Sequence, residues 1–401
     1  MNNSRPRPSA RGAGSNPPNR FERLCLEREA DWDPEQDPLP RTQFYRDRSS
    51  SVLSCNDSPD IAFETSLNPY RGCEHGCIYC YARPTHEYLG FSSGLDFETK
   101  IMIKEDAPRL LRAELSAPGW VPKVIALSGV TDPYQPVERR LKLTRGCLAV
   151  LAEFHNPVSV VTKNSLVTRD LDLLAELARC RAAAVFISLA TLDTDLRKVL
   201  EPRTSPPAAR LATISALVRT GIPTGVIVAP VIPGLTDHEI PAIIAAAAEA
   251  GATFGAHSVL RLPYAVAPLF EEWLTRHLPE KKDKVLHRLR ALRRGKLNNS
   301  EFGLRMTGEG IFAEQIERLF DVASRKAGWL GQEPELSTAY FRRPGVAQME
   351  LGLTGIGGPA KAGGERARLV EGKPKPESRN PKEGRNPKPE SGSRGQAGGQ
   401  G

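Results

Sequence analysis

The chain has 401 residues, of which 40% are hydrophobic and 25% charged, and its formal net charge is +8. This balance is typical of a globular protein, and no run of about eighteen apolar residues, the length that spans a membrane, occurs in it. The positive charge permits a polyanionic partner such as nucleic acid but does not by itself indicate one.

The two ends of the chain have the composition of disordered segments. Residues 1–19 lack hydrophobic periodicity and contain no apolar stretch of the secretory-signal type. Residues 357–401 are mainly Gly, Pro, Lys, Glu and Arg and nearly repeat themselves. Because such segments cannot offset their ordering entropy, we expect a disordered or poorly structured N-terminal segment over 1–45 and a low-complexity tail over 357–401. A cytoplasmic location is the default expectation.

A cysteine motif occupies residues 66–82, which read SLNPYRGCEHGCIYCYA. Cys73, Cys77 and Cys80 have C-x-x-x-C-x-x-C spacing, and two nearby glycines give the backbone freedom to wrap closely. Three thiolates suit the soft irons of a 4Fe–4S cluster and leave the fourth iron without a protein ligand. The odd total of seven cysteines, in a long chain without a signal peptide, argues against a disulfide framework.

Structural zinc is the alternative for the same cysteines, because His75 or His86 could complete a four-ligand site. Apolar and aromatic residues fill the loop, however, and no second C-x-x-C pair follows. This favours iron–sulfur over zinc. Four other cysteines have no ligand spacing, and they are Cys25, Cys55, Cys147 and Cys180.

After the motif, short β-branched runs alternate with helical stretches. The predicted strands are residues 124–127, 158–162, 184–189, 224–229 and 258–262, and the predicted helices between them are residues 144–154, 170–180, 207–220 and 237–250. Apolar strands separated by crossover helices indicate an α/β fold with parallel pairing. Crossovers of one hand curl such a sheet into a full or partial (β/α) TIM-type barrel, with chemistry at the carboxyl ends of the strands. We expect this core over 60–265; an open doubly wound sheet is the competing arrangement.

A helical extension is predicted over 266–356. Residues 268–296 and 310–326 have helical periodicity. Residues 281–296 carry eight Lys or Arg side chains, which could bind phosphates. An apolar stripe on the same helix favours an amphipathic helix packed on the core with a solvated basic face; the stripe consists of Val285, Leu286, Leu289 and Leu292.

The cysteine motif resembles that of the radical S-adenosylmethionine (SAM) superfamily. The runs NPYRGCEHGCIYCYAR, SGVTDPYQPVE and VTKN are similar to a branch related to spore photoproduct lyase, often labelled DNA repair photolyase, and the similarity covers residues 66–262. The resemblance implies a 4Fe–4S cluster at Cys73, Cys77 and Cys80 whose open iron chelates SAM. It further implies one-electron cleavage of SAM to a 5′-deoxyadenosyl radical, and an electron donor such as flavodoxin or ferredoxin.

The resemblance also implies contacts with SAM. Tyr79, the aromatic residue before the last cysteine, would lie against the adenine. The family's glycine-rich segment, which holds the amino group of SAM, corresponds here to the loop with Ser128, Gly129, Thr131 and Asp132. An ordinary strand-to-helix turn is the alternative for this loop.

Three further candidates stand at or after predicted strand ends. Polar residues there point toward the mouth of a barrel, so Lys163, Ser188 and Arg203 are candidates for ribose or carboxylate contacts. A surface or capping role is the alternative for each of them.

The sequence therefore predicts a radical SAM enzyme acting on an unidentified substrate, with nucleic acid repair or modification as one option. The opposing hypothesis is a zinc-stabilised nucleic-acid-binding module without SAM chemistry. In spore photoproduct lyase a cysteine hydrogen-atom donor lies in the segment after the second strand. Here that segment has Gly129 and no cysteine, which departs from photoproduct repair by the same route.

Overall fold

The computed structural model describes residues 11–21, 41–61, 63–329 and 333–344. Within these ranges the strands are β1 (Gln43–Arg46), β2 (Leu53–Cys55), β3 (Thr65–Leu67), β4 (Tyr70–Arg71), β5 (Lys100–Ile103), β6 (Ile125–Leu127), β7 (Val158–Thr162), β8 (Ala183–Ser188), β9 (Thr224–Val231) and β10 (Gly255–Val259). The α-helices are α1 (Leu95–Thr99), α2 (Ala107–Ser116), α3 (Glu138–Leu141), α4 (Leu143–Phe154), α5 (Leu171–Arg179), α6 (Thr194–Leu200), α7 (Pro207–Arg219), α8 (Ile240–Glu249), α9 (Val266–His277), α10 (Pro279–Leu292), α11 (Leu304–Thr307) and α12 (Ile311–Lys326). Short 3₁₀ helices cover Arg83–Leu89, Ser165–Asp170 and Asp237–Glu239.

The central sheet has seven strands in the order β10-β9-β8-β7-β6-β3-β2. Its neighbouring strands pair in parallel from β3 to β10, and β2 pairs antiparallel at the β3 edge. The parallel strands follow chain order without a reversal, whereas a doubly wound sheet reverses its order at a switch point. The described sheet is a partial barrel without closure, which confirms the α/β barrel expectation in its partial form.

Alternating strand residues divide between two packing surfaces, as the period of two requires. Val185 and Ile187 of β8 belong to the main apolar core, which also contains buried residues of α4, α5, α7 and α8. Ala184 and Phe186 face the other side and pack with Phe254. Residues on both faces of β8 are therefore buried, and this explains its continuous apolar sequence.

The segment 333–344 packs near the amino ends of the strands. Leu336 packs against Phe186 and Phe254, and the Ser337 backbone N–H donates to the Arg181 carbonyl, 2.8 Å away, just before β8. A small second sheet, in the order β1-β5-β4, leads the chain into the cysteine motif. The carboxyl ends of the parallel strands remain for the candidate site.

Most predicted core elements match the structure within a few residues. The strand at 158–162 is exact, while the one predicted at 258–262 is observed at Gly255–Val259. The helix predicted over 268–296 is in fact two helices, α9 and α10, because Pro279 begins a new helix at its first turn.

The predicted tail at 357–401 lies outside the described residues. None of the described helices combines the length and apolar character that crossing a bilayer requires.

The basic helix α10 packs as an amphipathic element. Val285, Leu286, Leu289 and Leu292 are its buried residues, which confirms the apolar stripe. Several of the basic residues at 281–296 are engaged with the rest of the protein: Arg288 pairs with Asp237, Arg293 is buried and donates to backbone carbonyls, and Arg294 pairs with Glu301 and Glu309. Arg290 is exposed.

Candidate functional site

The cysteine loop follows β4 and is held from several sides. Cys73 and Cys77 are buried, and Cys80 is partly buried. Cys80 packs against Cys73 in a small cluster with Ala82 and Phe97. Backbone bonds tie the loop to the chain around α6, since the Ile78 N–H donates to the Leu200 carbonyl at 3.2 Å. Three thiols therefore share one buried loop.

Electrostatics around the thiols suit a bound cation better than free thiolates. Burial raises the pKa of Cys77 well above its usual value, Glu201 raises it further, and Lys163 opposes them. Burial likewise raises the pKa of Cys80. Without a metal these thiols stay protonated; binding to iron replaces the proton. A buried set of three soft sulfur donors fits a 4Fe–4S cluster.

The two histidines considered as zinc ligands differ in their neighbours, because His75 lies against Cys73 and Asp132 whereas His86 lies among aromatic rings. The His75 ring places Nδ1 3.4 Å from an Asp132 carboxylate oxygen and Nε2 3.1 Å from the Asn164 side-chain nitrogen. His86 is buried beside Phe91 and Phe97. In the described part of the chain, no group of three or more His, Cys, Asp or Glu side chains is arranged around a single metal ion. The three loop cysteines, as described, are not arranged around one ion either, so this finding does not separate zinc from an iron–sulfur cluster.

A buried ion pair, the clamp, binds the backbone of the cysteine loop. Arg83, fully buried, donates to the Cys77 carbonyl from Nε at 3.1 Å and from Nη2 at 2.9 Å. Its guanidinium also pairs with Glu98 at 2.5 Å. Sequence reasoning assigned no role to either residue, although Arg83 ends the run NPYRGCEHGCIYCYAR, because their role depends on burial. Together they fix a backbone carbonyl beside one candidate iron ligand.

Residues 11–21, here called the N-terminal strap, pack directly on this clamp. The Gly12 and Ala13 backbone N–H groups donate to the two carboxylate oxygens of Glu98, at 3.0 and 2.8 Å. Further along, Asn16 binds Asp96 and Arg20 pairs with Glu87. The strap falls within the segment 1–45 expected to be disordered or poorly structured, and in the structure its backbone is bound by a buried carboxylate that its own composition does not reveal. Residues 1–10 and 22–40, including Cys25, lie outside the described residues.

Changing Gly12 to alanine should detach the strap. A Cβ at this position would lie 1.8 Å from the Gly76 carbonyl oxygen, in the cysteine loop itself. The Cβ would clash with a backbone atom, and no side-chain rotation can relieve this. We therefore expect the free energy of unfolding to fall by about 1–3 kcal/mol. Faster trypsin cleavage after Arg20 should accompany the loss, measured by mass spectrometry of the fragments.

Gly119→Ala is the matched control for this prediction. A Cβ at Gly119 would have no heavy atom within 4 Å, so stability and proteolysis should stay as in the unchanged protein. Equal trypsin resistance of the Gly12 and Gly119 variants would contradict the packing of the strap.

The glycine-containing loop after β6 lies against the cysteine loop. Ser128 and Gly129 have φ angles of 153° and 96°, in a region that favours glycine. The Tyr81 hydroxyl donates to the Gly129 carbonyl at 2.6 Å, and the Asn68 side-chain oxygen accepts from the Thr131 N–H at 3.2 Å. Of the predicted residues in this loop, Gly129 therefore contacts Tyr81, the residue that follows Cys80.

The Asp132 carboxylate already has protein partners. It accepts from the Thr162 hydroxyl and from the Tyr134 and Lys163 N–H groups, each at 2.8 Å, and it faces His75. Burial would raise the pKa of Asp132, but the His75 charge and these bonds lower it to about 2. Asp132 thus joins the ends of two strand regions to the cysteine loop.

The remaining candidates differ in their surroundings. The Tyr79 hydroxyl bonds with buried Glu201, which pairs with Arg210. Lys163 approaches the same ring, with Nζ 5.9 Å from its centroid. The Ser188 hydroxyl donates to the Ala229 carbonyl at 3.1 Å, and Arg203 pairs with Glu74 at 3.1 Å.

Glu201 and Arg210 are members of this site that sequence reasoning missed. Each is almost fully buried, and Arg210 also donates to the Ser188 carbonyl at 2.8 Å. A Glu-Pro-Arg-Thr run signals a turn, not a buried carboxylate. Only the hydrogen bond with Tyr79 in the folded chain identifies Glu201 as part of this site.

Comparisons with known proteins identify the sequences and folds that this chain resembles. The sequence profile of the radical SAM superfamily matches residues 67–247. An uncharacterized protein of Mycobacterium tuberculosis is 42% identical over 233 residues, covering 58% of this chain and 68% of that protein. An uncharacterized protein of Methanocaldococcus jannaschii is 29% identical over 173 residues, covering 43% and 62%.

Two further matches are a phage protein and a solved structure. A protein of Pseudomonas phage M6, named radical SAM Nα-GlyT isomerase, is 26% identical over 203 residues, covering 50% of this chain and 40% of that protein. A structure of a spore photoproduct lyase variant superposes with a TM-score of 0.51 at 16% identity, covering 73% of this chain and 82% of that one. The similarity to this solved structure shows the fold alone.

Proposed function

The chain belongs to the radical SAM superfamily, and from that premise we propose that Cys73, Cys77 and Cys80 hold a 4Fe–4S cluster with which the protein cleaves SAM reductively. The observation that carries the proposal is the placement of two buried thiols and one partly buried thiol on one loop at the carboxyl end of a parallel sheet. When bound, the cluster would supply the electron that breaks a carbon–sulfur bond of SAM and releases a 5′-deoxyadenosyl radical.

The chain's own residues position the loop and shield it. Arg83 binds the Cys77 carbonyl, and Glu98 holds both Arg83 and the strap. Hydrogen bonds to backbone near the ligands fix their orientation, as outer partners do in other metal sites. The strap covers one side of the loop, which limits access of water and oxygen to the buried thiols.

For SAM we propose contacts from two groups of residues. The Tyr79 ring would lie against the adenine, and the backbone of Ser128, Gly129 and Thr131 would accept the amino group. Lys163 would meet the carboxylate as a cation. These roles are supported by the adjacency of the loops and by Lys163 near the Tyr79 ring.

The other three candidates, Asp132, Ser188 and Arg203, already have protein partners. Ser188 and Arg203 are bonded to Ala229 and Glu74, and Asp132 to four protein groups. Asp132 would set the position of the loop that carries the amino-group acceptors. Ser188 and Arg203 would reach the ribose only by exchanging a present partner.

Two partners complete the proposal. An electron donor such as flavodoxin or ferredoxin would reduce the cluster. Nucleic acid is the substrate class to test first, because the chain carries a net charge of +8 and because the branch it resembles is associated with nucleic acid repair.

Anaerobic reconstitution tests the proposal directly. Protein purified without oxygen and supplied with iron and sulfide should hold about four irons per chain and absorb in the visible range. Adding SAM and a strong reductant should yield 5′-deoxyadenosine, measured by chromatography. Stoichiometric zinc with no such absorption and no 5′-deoxyadenosine would instead support the zinc-stabilised binding module.

A further inference from the structure

Arg261 follows β10 at the mouth of the partial barrel and lacks an acceptor oxygen among the described residues. Its guanidinium carbon lies 5.3 Å from the centroid of the Tyr81 ring. Nη1 is 3.4 Å from the Met306 sulfur, and Nε is buried without a hydrogen-bond partner in the described structure. A thioether is a weak acceptor, so the protein leaves this cation largely unsatisfied.

Nearby arginines bind acceptor oxygens, although Arg293 shares with Arg261 a buried Nε without a partner among the described residues. Arg305 binds both carboxylate oxygens of Asp60, and Arg293 donates to two backbone carbonyls. Burial lowers the pKa of Arg261, and the Arg305 charge lowers it further, but a guanidinium stays charged at neutral pH. A partly buried cation without an acceptor calls for an explanation, and a bound anion is the one that fits its chemistry.

The unpaired cation adjoins the cysteine loop. Tyr81 directly follows Cys80, half of its surface is exposed, and its hydroxyl bonds with Gly129. Tyr81 therefore spans the mouth from the glycine-containing loop to Arg261. Arg261, Lys163 and Arg305 all contribute positive charge at this tyrosine.

We propose that Arg261 binds a phosphate group of the substrate, with the exposed Tyr81 ring as the surface on which an adjoining base stacks. The planar guanidinium fork matches a phosphate in a bidentate fashion, and exposed aromatic rings beside arginine are suited to unstacked nucleotides. Arg261 follows β10 and Lys163 follows β7, so the phosphate cation and the proposed SAM-carboxylate cation come from different strands. This inference rests on the proposed function.

Calorimetry on the reconstituted full chain, with SAM present, tests the proposal. The probes are the dinucleotide thymidylyl-thymidine, thymidine, inorganic phosphate and acetate. Arg261→Gln should weaken dinucleotide and phosphate binding by about tenfold or more, because a charge-assisted bidentate bond is lost, and Arg261→Lys should weaken it less. Thymidine binding should stay within about twofold, and so should dinucleotide binding by the exposed control Arg290→Gln.

Each other outcome would overturn the inference. These are no measurable binding of dinucleotide or phosphate, equal binding by Arg261→Gln, an equal effect of Arg290→Gln, and acetate binding as tightly as phosphate. A loss of SAM affinity in Arg261→Gln would assign Arg261 to the cofactor, leaving the proposed function intact. Iron content and SAM cleavage of the unchanged protein are measured in separate experiments. Their failure would contradict the proposed function, whereas the calorimetry tests Arg261.

Thermal unfolding separates binding from a structural role. Because Arg261 has no acceptor oxygen to lose, Arg261→Gln should keep the melting temperature or raise it, as expected where a binding group is held at a cost in stability. A fall of more than about 4 °C would show that the side chain supports the fold, and would overturn the assignment.

Discussion

Replacing any one of Cys73, Cys77 and Cys80 by alanine should remove most of the iron and lower SAM cleavage by more than about 100-fold. Loss of an outer partner of a metal ligand already costs 10–100-fold in metal affinity or activity, and loss of a ligand itself costs more. Each of the three thiols should be needed, because each is one of the three protein ligands of the proposed cluster. The partly exposed Cys80 and the buried Cys73 and Cys77 lie on one loop. Iron content, visible absorption and 5′-deoxyadenosine are the measurements.

Cys55→Ala is the matched control for the cysteine variants. Cys55 is exposed on β2, so its replacement should leave iron content and cleavage unchanged. If the three loop variants keep as much iron as the Cys55 variant, the cluster assignment is wrong.

Replacing Glu201 by alanine should lower the free energy of unfolding by about 3–5 kcal/mol, measured by urea denaturation of protein without iron. Arg210 would keep its charge in a buried site, and removal of one partner of a buried pair costs this much. The Tyr79 hydroxyl would lose its partner as well. We expect weaker SAM binding in the reconstituted variant, since Tyr79 is the proposed adenine contact.

Two further variants make the Glu201 prediction specific. Glu153→Ala breaks an exposed pair with Arg112 and should cost less than about 1 kcal/mol. Adding Arg210→Met to Glu201→Ala should cost less than the sum of the single changes, because it removes the uncompensated charge. A Glu201 variant as stable as the Glu153 variant would show that the buried pair does not stabilise the fold.

Local sequence signals predicted the framework well. Spacing identified Cys73, Cys77 and Cys80, and apolar runs identified the strands from β6 to β10. These signals are local, because a strand's apolar run and a loop's ligand spacing depend on neighbours a few positions away. The strands β1, β2, β4 and β5 have between two and four residues each and are too brief to leave such a signal.

What the sequence by itself determined is the order of strands and helices, the cysteine loop and the family resemblance. Only the tertiary structure decided which charges are buried and what they hold. Glu98 binds the strap from 85 residues away, Glu201 meets Tyr79 across 122 residues, and the Arg261 Nε is buried at the mouth without a partner in the described part of the chain. The cost of a buried charge depends on every group packed around it, and those groups come from distant parts of the chain.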